Sequence, residues 1–89
     1  MTYWVGFSKT GIGEVIRERS YDSIVKARRY AVNVLRRKEY QWADIYSSKD
    51  AKYHIENIEI GYSPGTFISS RNGKDSLIKS NGTLGKRPY

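Results

Sequence analysis

Few side chains in this sequence are spaced to make or break bonds. His54 is the only histidine, and His54-x-Glu56 gives it the strand parity of a carboxylate, a pairing used in general acid–base chemistry. One histidine and one carboxylate fall short of a structural zinc ligand set, and no spacing singles out a serine to complete a nucleophilic triad. Glu56 and Glu59 stand three apart, which in a regular strand puts them on opposite faces and spoils them as a paired acid and base. There is no cysteine, so thiol nucleophiles, thiolate metal sites and disulfides are excluded. Gly11-x-Gly13 lacks the third glycine of a dinucleotide loop, and no helix follows it directly. The expectation is a protein with no catalytic residue, no metal and no cofactor, and so not an enzyme.

The chemistry that the residue types do suggest is anion binding. KARRYAVNVLRRK, residues 26 to 38, carries six basic side chains and no acid. At about 100° per residue, Lys26, Arg29, Asn33, Arg36 and Arg37 share one side of a helix, opposite a stripe of Ile24, Ala27, Ala31, Val34 and Leu35. Arg28 falls nearer the core edge, where its stem is expected to pack while its guanidinium reaches outward to water. A merely solvated face interleaves acids for pairing four residues on, whereas Arg29 is followed at that spacing by Asn33. The same face also suits a plain solvent-facing back or a contact with an acidic protein. Sixteen Lys and Arg against nine Asp and Glu give a net charge of +7, which favours polyanionic partners. Residues 69 to 89 hold five of the bases and a single acid, so Lys79, Lys86 and Arg87 are expected to act as an arm beside Lys26, Arg29, Arg36 and Arg37 in holding nucleic acid.

Positioning these groups requires a small scaffold. TYWVGFS (2–8) alternates Tyr3, Val5 and Phe7 against Trp4 and Gly6, as a half-buried strand does, and KTGIG then EVIRER predict a hairpin. The period changes at SYDSIVKARRYAVNVLRRK, where Asp22 or Ser23 caps a helix expected over 23–38. YQWADIYSS and YHIENIEIGY read as two more strands, with a bulge or break near Asn57 where the apolar parity shifts between Ile55 and Ile58. TFIS adds one short strand, and the remainder, with two Asn-Gly pairs, is either an irregular arm or a hairpin closed at an Asn-Gly turn. Asn81-Gly82-Thr83, formally a glycosylation acceptor, is read as a turn. The fold class expected is α+β: a small antiparallel sheet (β-β-α-β-β with one further short strand) carrying one helix on one face, as a single domain over 1–68 followed by a basic polar arm over 69–89.

Eight tyrosines and two tryptophans exceed what one helix covers. With the helix on the Val5, Phe7, Ala43, Ile45 side, the opposite face is expected to carry Trp4, Tyr40, Trp42 and Tyr46, joined by His54, Ile58 and Ile60. Such a face stacks unpaired bases, meets a protein partner or a second copy in a homodimer, or is covered by the C-terminal segment. With neither an apolar run of membrane-spanning length nor a leader pattern at MTYWVGFSK, no membrane partner is expected and the cytoplasm is the expected location.

The run from YWVGF through SYDSIVKARRYAVNVL to WADIY resembles small orphan β-α-β-β proteins of Gram-positive bacteria and their phages, over about half the chain. That resemblance implies a phage or mobile-element accessory protein and carries over no site residue. Three functional expectations stand together: a non-enzymatic binder of DNA or RNA, or of a nucleoprotein complex, through the basic helix face; an accessory protein that binds and inhibits or remodels a host protein; and a homodimeric interaction module.

Overall fold

In the computed structural model, which describes residues 1–9 and 19–88, the chain runs β1 (Tyr3–Ser8), β2 (Arg19–Tyr21), α1 (Ile24–Leu35), β3 (Trp42–Tyr46), β4 (Glu56–Ile60), β5 (Phe67–Arg71) and β6 (Lys74–Leu77). The strands form one sheet in the order β2-β1-β3-β4-β5-β6, antiparallel at every step. β2 and β3 both run antiparallel to β1, hence parallel to each other. A parallel pair needs a crossover, and α1 is that crossover. The architecture is the α+β class expected, with one helix on one face of the sheet. The turn expected at KTGIG and most of EVIRER lie outside the described residues.

Alternation in the strands and the helical stripe meet in one core. Val5, Ala43, Ile45 and Ile58 from the sheet and Ala27, Ala31 and Leu35 from α1 are at most 1% exposed, joined by Phe7, Val34 and Phe67. Each large aliphatic side chain removed from water this way contributes on the order of 1.5–3 kcal/mol. Ser23 caps α1: its backbone is extended, and its hydroxyl accepts from the Val25 amide at 3.2 Å. The helix stops at Leu35 and not at Lys38. Arg37 and Lys38 donate to carbonyls three residues back, at 3.1 Å each, and Lys38 then turns the chain at φ 62.

β3 and β4 pair one to one from Ile45↔Glu56 through Asp44↔Asn57 to Trp42↔Glu59, so the ladder is regular at Asn57 itself. The irregularity lies just before it, where the Ile55 amide donates at 2.7 Å to the carbonyl of Ile45, the residue already opposite Glu56. Ile55 precedes the strand, and the inward position in phase with Ile58 is occupied by Glu56. Glu56 and Glu59 do fall on opposite faces.

Beyond residue 68 the chain continues as sheet, since β5 crosses that position and β6 follows. Asn72 and Gly73, at φ 52 and 76, make the hairpin turn, both central residues at positive φ as a type I′ turn demands. A second reversal follows at Asn81-Gly82, where the Asn81 side-chain oxygen accepts from the Thr83 amide and hydroxyl at 3.1 and 2.6 Å. Lys79 donates to the Thr83 carbonyl, Ile78 bridges Leu84, and Leu77 exchanges bonds with Gly85 and Lys86, so residues 84–86 lie alongside the end of β6.

Candidate functional site

The residues weighed for catalysis are not brought together. Glu56 is fully buried beneath α1. His54 lies outside the strand and half exposed, its Nδ1 3.6 Å from Asp44 Oδ1 and its ring edge-on to Tyr46. The shared strand face expected for His54 and Glu56 therefore does not form. Among the described residues no group of three His, Cys, Asp or Glu is arranged to hold a metal ion.

Glu56 instead meets Arg28. The Arg28 guanidinium donates to both carboxylate oxygens, from Nε at 2.8 Å and from Nη2 at 2.9 Å, and both residues are buried. This corrects the expectation that Arg28 extends to water. Nη1 donates to the Gly82 carbonyl at 3.3 Å, so the same guanidinium ties the C-terminal reversal to the helix. Gly82 is the residue this contact needs. It sits at φ 88, and a Cβ there would lie 2.6 Å from the Val25 carbonyl oxygen and 2.8 Å from Arg29 Cγ. Only a glycine both adopts that backbone and lets the turn lie flat on α1.

Docking of the reversal builds a groove of about 340 Å³ along the outer flank of α1. Arg29, Asn33 and Arg36 line it from the helix, Lys79, Ser80 and Gly82 from the reversal, and Val32, Phe67 and Ile78 lie between them. Among the described residues no carboxylate lines it. The Arg36 guanidinium lies 5.6 Å from the centre of the Phe67 ring and donates to Asn33 Oδ1 at 3.4 Å. Three basic residues from two elements about fifty residues apart in sequence thus line one recess, the Lys79 stem running beside Gly85.

Arg29 and Asn33 also border a second, more open recess shared with Tyr21, Lys26 and Tyr30. Lys26 reaches back to Asp22 at 3.0 Å, one turn earlier and fully exposed, and this bond and charge hold the Asp22 carboxyl below its usual range. Arg19 adds a cation that sequence reading passed over. Its guanidinium lies 5.5 Å from the Tyr30 ring centre, itself stacked near Tyr21, and the signal for it was nonlocal because the β1–β2 pairing carries it there.

The seven expected nucleic-acid contacts therefore divide. Arg29, Arg36 and Lys79 converge on the groove, and Lys26 extends the same helix face. Arg37 is exposed past the end of α1 and does not line the groove. Lys86 lies beside the end of β6, and Arg87 borders a separate recess near the Asn72-Gly73 turn with Lys74 and Asp75.

The other sheet face holds fewer aromatics than expected. Trp4, Trp42 and Tyr46 share it, Trp4 directly opposite Tyr46. Tyr40 does not: β3 begins only at Trp42, and the Tyr40 ring packs 5.3 Å from Phe7 on the helix side. Ile58 lies in the core, and strand alternation puts Ile60 on its side. Tyr46 is 5% exposed, Lys49 approaches the Trp4 ring at 5.9 Å, and the row Asp44, Asn57, Ser70 crosses the middle. The C-terminal reversal, one reading for the cover of this face, docks on α1.

Comparison with protein-family models, with characterised proteins and with solved structures returned no match. Among the described residues no helix is long and apolar enough to cross a membrane.

Proposed function

We propose that this protein binds nucleic acid through the outer face of α1 and the groove beside it. The observation that carries the reading is that Arg29, Arg36 and Lys79 line one recess to which no carboxylate among the described residues contributes. Phosphate is the anion that such a group suits, because guanidinium forks take its oxygens in pairs and the ammonium supplies a mobile third charge. Lys26 continues the line toward the N-terminus of α1. At 1.5 Å per residue the cations from Lys26 to Arg36 span about 15 Å of helix, room for several successive phosphates.

Neutralising about four phosphates gives a slope of roughly −2.8 to −3.6 for log affinity against log salt, so affinity falls roughly 50- to 150-fold between 50 and 200 mM salt. Fluorescence anisotropy of a labelled oligonucleotide titrated at several salt concentrations measures this slope, and a flat dependence would falsify the reading. The resemblance to proteins of Gram-positive bacteria and their phages is compatible with an accessory role acting on nucleic acid or on a nucleoprotein complex.

A further inference from the structure

Resting on that reading, we infer that the ligand of the α1 groove is unpaired nucleic acid, with one base stacked on the Arg36 guanidinium and its neighbouring phosphates held by Arg29 and Lys79. Three observations lead there. First, the groove is not lined by charge alone: half-buried Ile78 stands between the cationic sides, above the core residues Val32 and Phe67, and offers a small apolar surface to an occupant. A duplex offers the charge alone, because its bases are stacked inside, whereas a single strand turns each base outward on a flexible chain.

Second, Arg36 presents its guanidinium over an aromatic ring. The Phe67 ring lies 5.6 Å from it and the Asn33 side-chain oxygen accepts from it at 3.4 Å, while the residue itself is exposed. Guanidinium planes are stacking platforms for unpaired bases, and this one stands next to the two cations that have no ion-pair partner among the described residues. Third, one flank of α1 is already covered. Gly82 packs against Val25 and Arg29, so the C-terminal reversal walls the groove on that side, and a flexible single strand can follow the recess more readily than a rigid duplex.

The test is a set of anisotropy titrations with four labelled probes of about ten units: oligothymidylate, oligouridylate, a duplex, and a chain of abasic deoxyribose phosphates. The better of the two single strands is expected to bind about tenfold or more tightly than the abasic chain and the duplex. Arg36→Lys, which keeps the charge and removes the plane, is expected to cut that preference to about threefold or less while leaving the salt slope unchanged. Equal binding of the abasic chain, tighter binding of the duplex, or an undiminished preference in Arg36→Lys overturns the inference and leaves the phosphate-binding reading in place. Absent or salt-insensitive binding of all four probes overturns both.

Discussion

Arg28 and Arg29 are adjacent in the chain and leave α1 into opposite surroundings. Arg28 turns inward, where Glu56 and the Gly82 carbonyl occupy its fork; Arg29 turns to the groove it shares with Arg36 and Lys79. In the first region every charge is matched at hydrogen-bonding distance and shut away from water. In the second, like charges are gathered at the surface. The difference teaches which kind of measurement each region governs: the inner pair belongs to folding, the outer group to binding, and the Gly82 turn touches both.

The comparison breaks most severely at the inner pair. Glu56→Ala leaves a buried guanidinium with neither carboxylate nor water, and is expected to lower unfolding free energy by about 3–5 kcal/mol in urea denaturation, with Arg28→Ala similar. The double replacement Arg28→Met with Glu56→Leu is expected to return most of that loss, since the pair's burial itself costs desolvation. If the double variant is no more stable than the single ones, Arg28 acts chiefly through Gly82.

A smaller effect separates the two Asn-Gly turns. Gly73 has open space around its Cβ position, so Gly73→Ala meets only the left-handed backbone strain, about 1 kcal/mol. Gly82→Ala adds a clash with the Val25 carbonyl and is expected to cost about 2 kcal/mol or more, and to weaken oligonucleotide binding because Lys79 loses its place opposite Arg29. Thermal melts and anisotropy on both variants measure the two contributions. Equal losses at the two glycines would mean that the reversal is not held on α1.

At the outer group the expected stability change nearly vanishes while binding moves. Arg29→Ala with Lys79→Ala should stay within about 0.5 kcal/mol of the parent in stability yet reduce the salt slope by about two. The smallest effect lies at Asp22. Its carboxyl titrates below the ordinary range in the folded chain, so the stability it adds is present above the unfolded pKa and fades as pH falls through the folded one. Asp22→Asn should therefore melt slightly below the parent at neutral pH and converge with it in strong acid.

Much of the scaffold was legible in local pattern. The stripe from Ile24 to Leu35 and the Ser23 cap located α1, and alternation located β1, β3 and β4. An Asn-Gly pair announced the β5–β6 turn. The inner pair was missed because two charged residues occupy core phases: Arg28 falls four residues after Ile24 on the inward side, and Glu56 two before Ile58. Each alone looks like an interruption of pattern; only their opposite signs, on elements that the sheet brings together, identify a pair. Tyr40 was misassigned because alternation was extended past the true start of β3. The groove combines both kinds of information. Arg29 and Arg36 were visible as one helix face, but Lys79 joins them only because Gly82 fits against Val25, a fit between distant segments that no local period encodes.

The chain after β6 has one more consequence. An outer strand exposes a row of unpaired amide and carbonyl groups that invites another molecule to add itself to the sheet. Here the Gly85 amide meets the Leu77 carbonyl and the Leu77 amide meets the Lys86 carbonyl, so that end of the row is closed from within the chain. Removing residues 79–89 would take away more than basic side chains: it would leave a hydrogen-bonding margin beside Ile78 open to self-templating, and the shortened chain is expected to aggregate in a concentration-dependent way where the full chain does not.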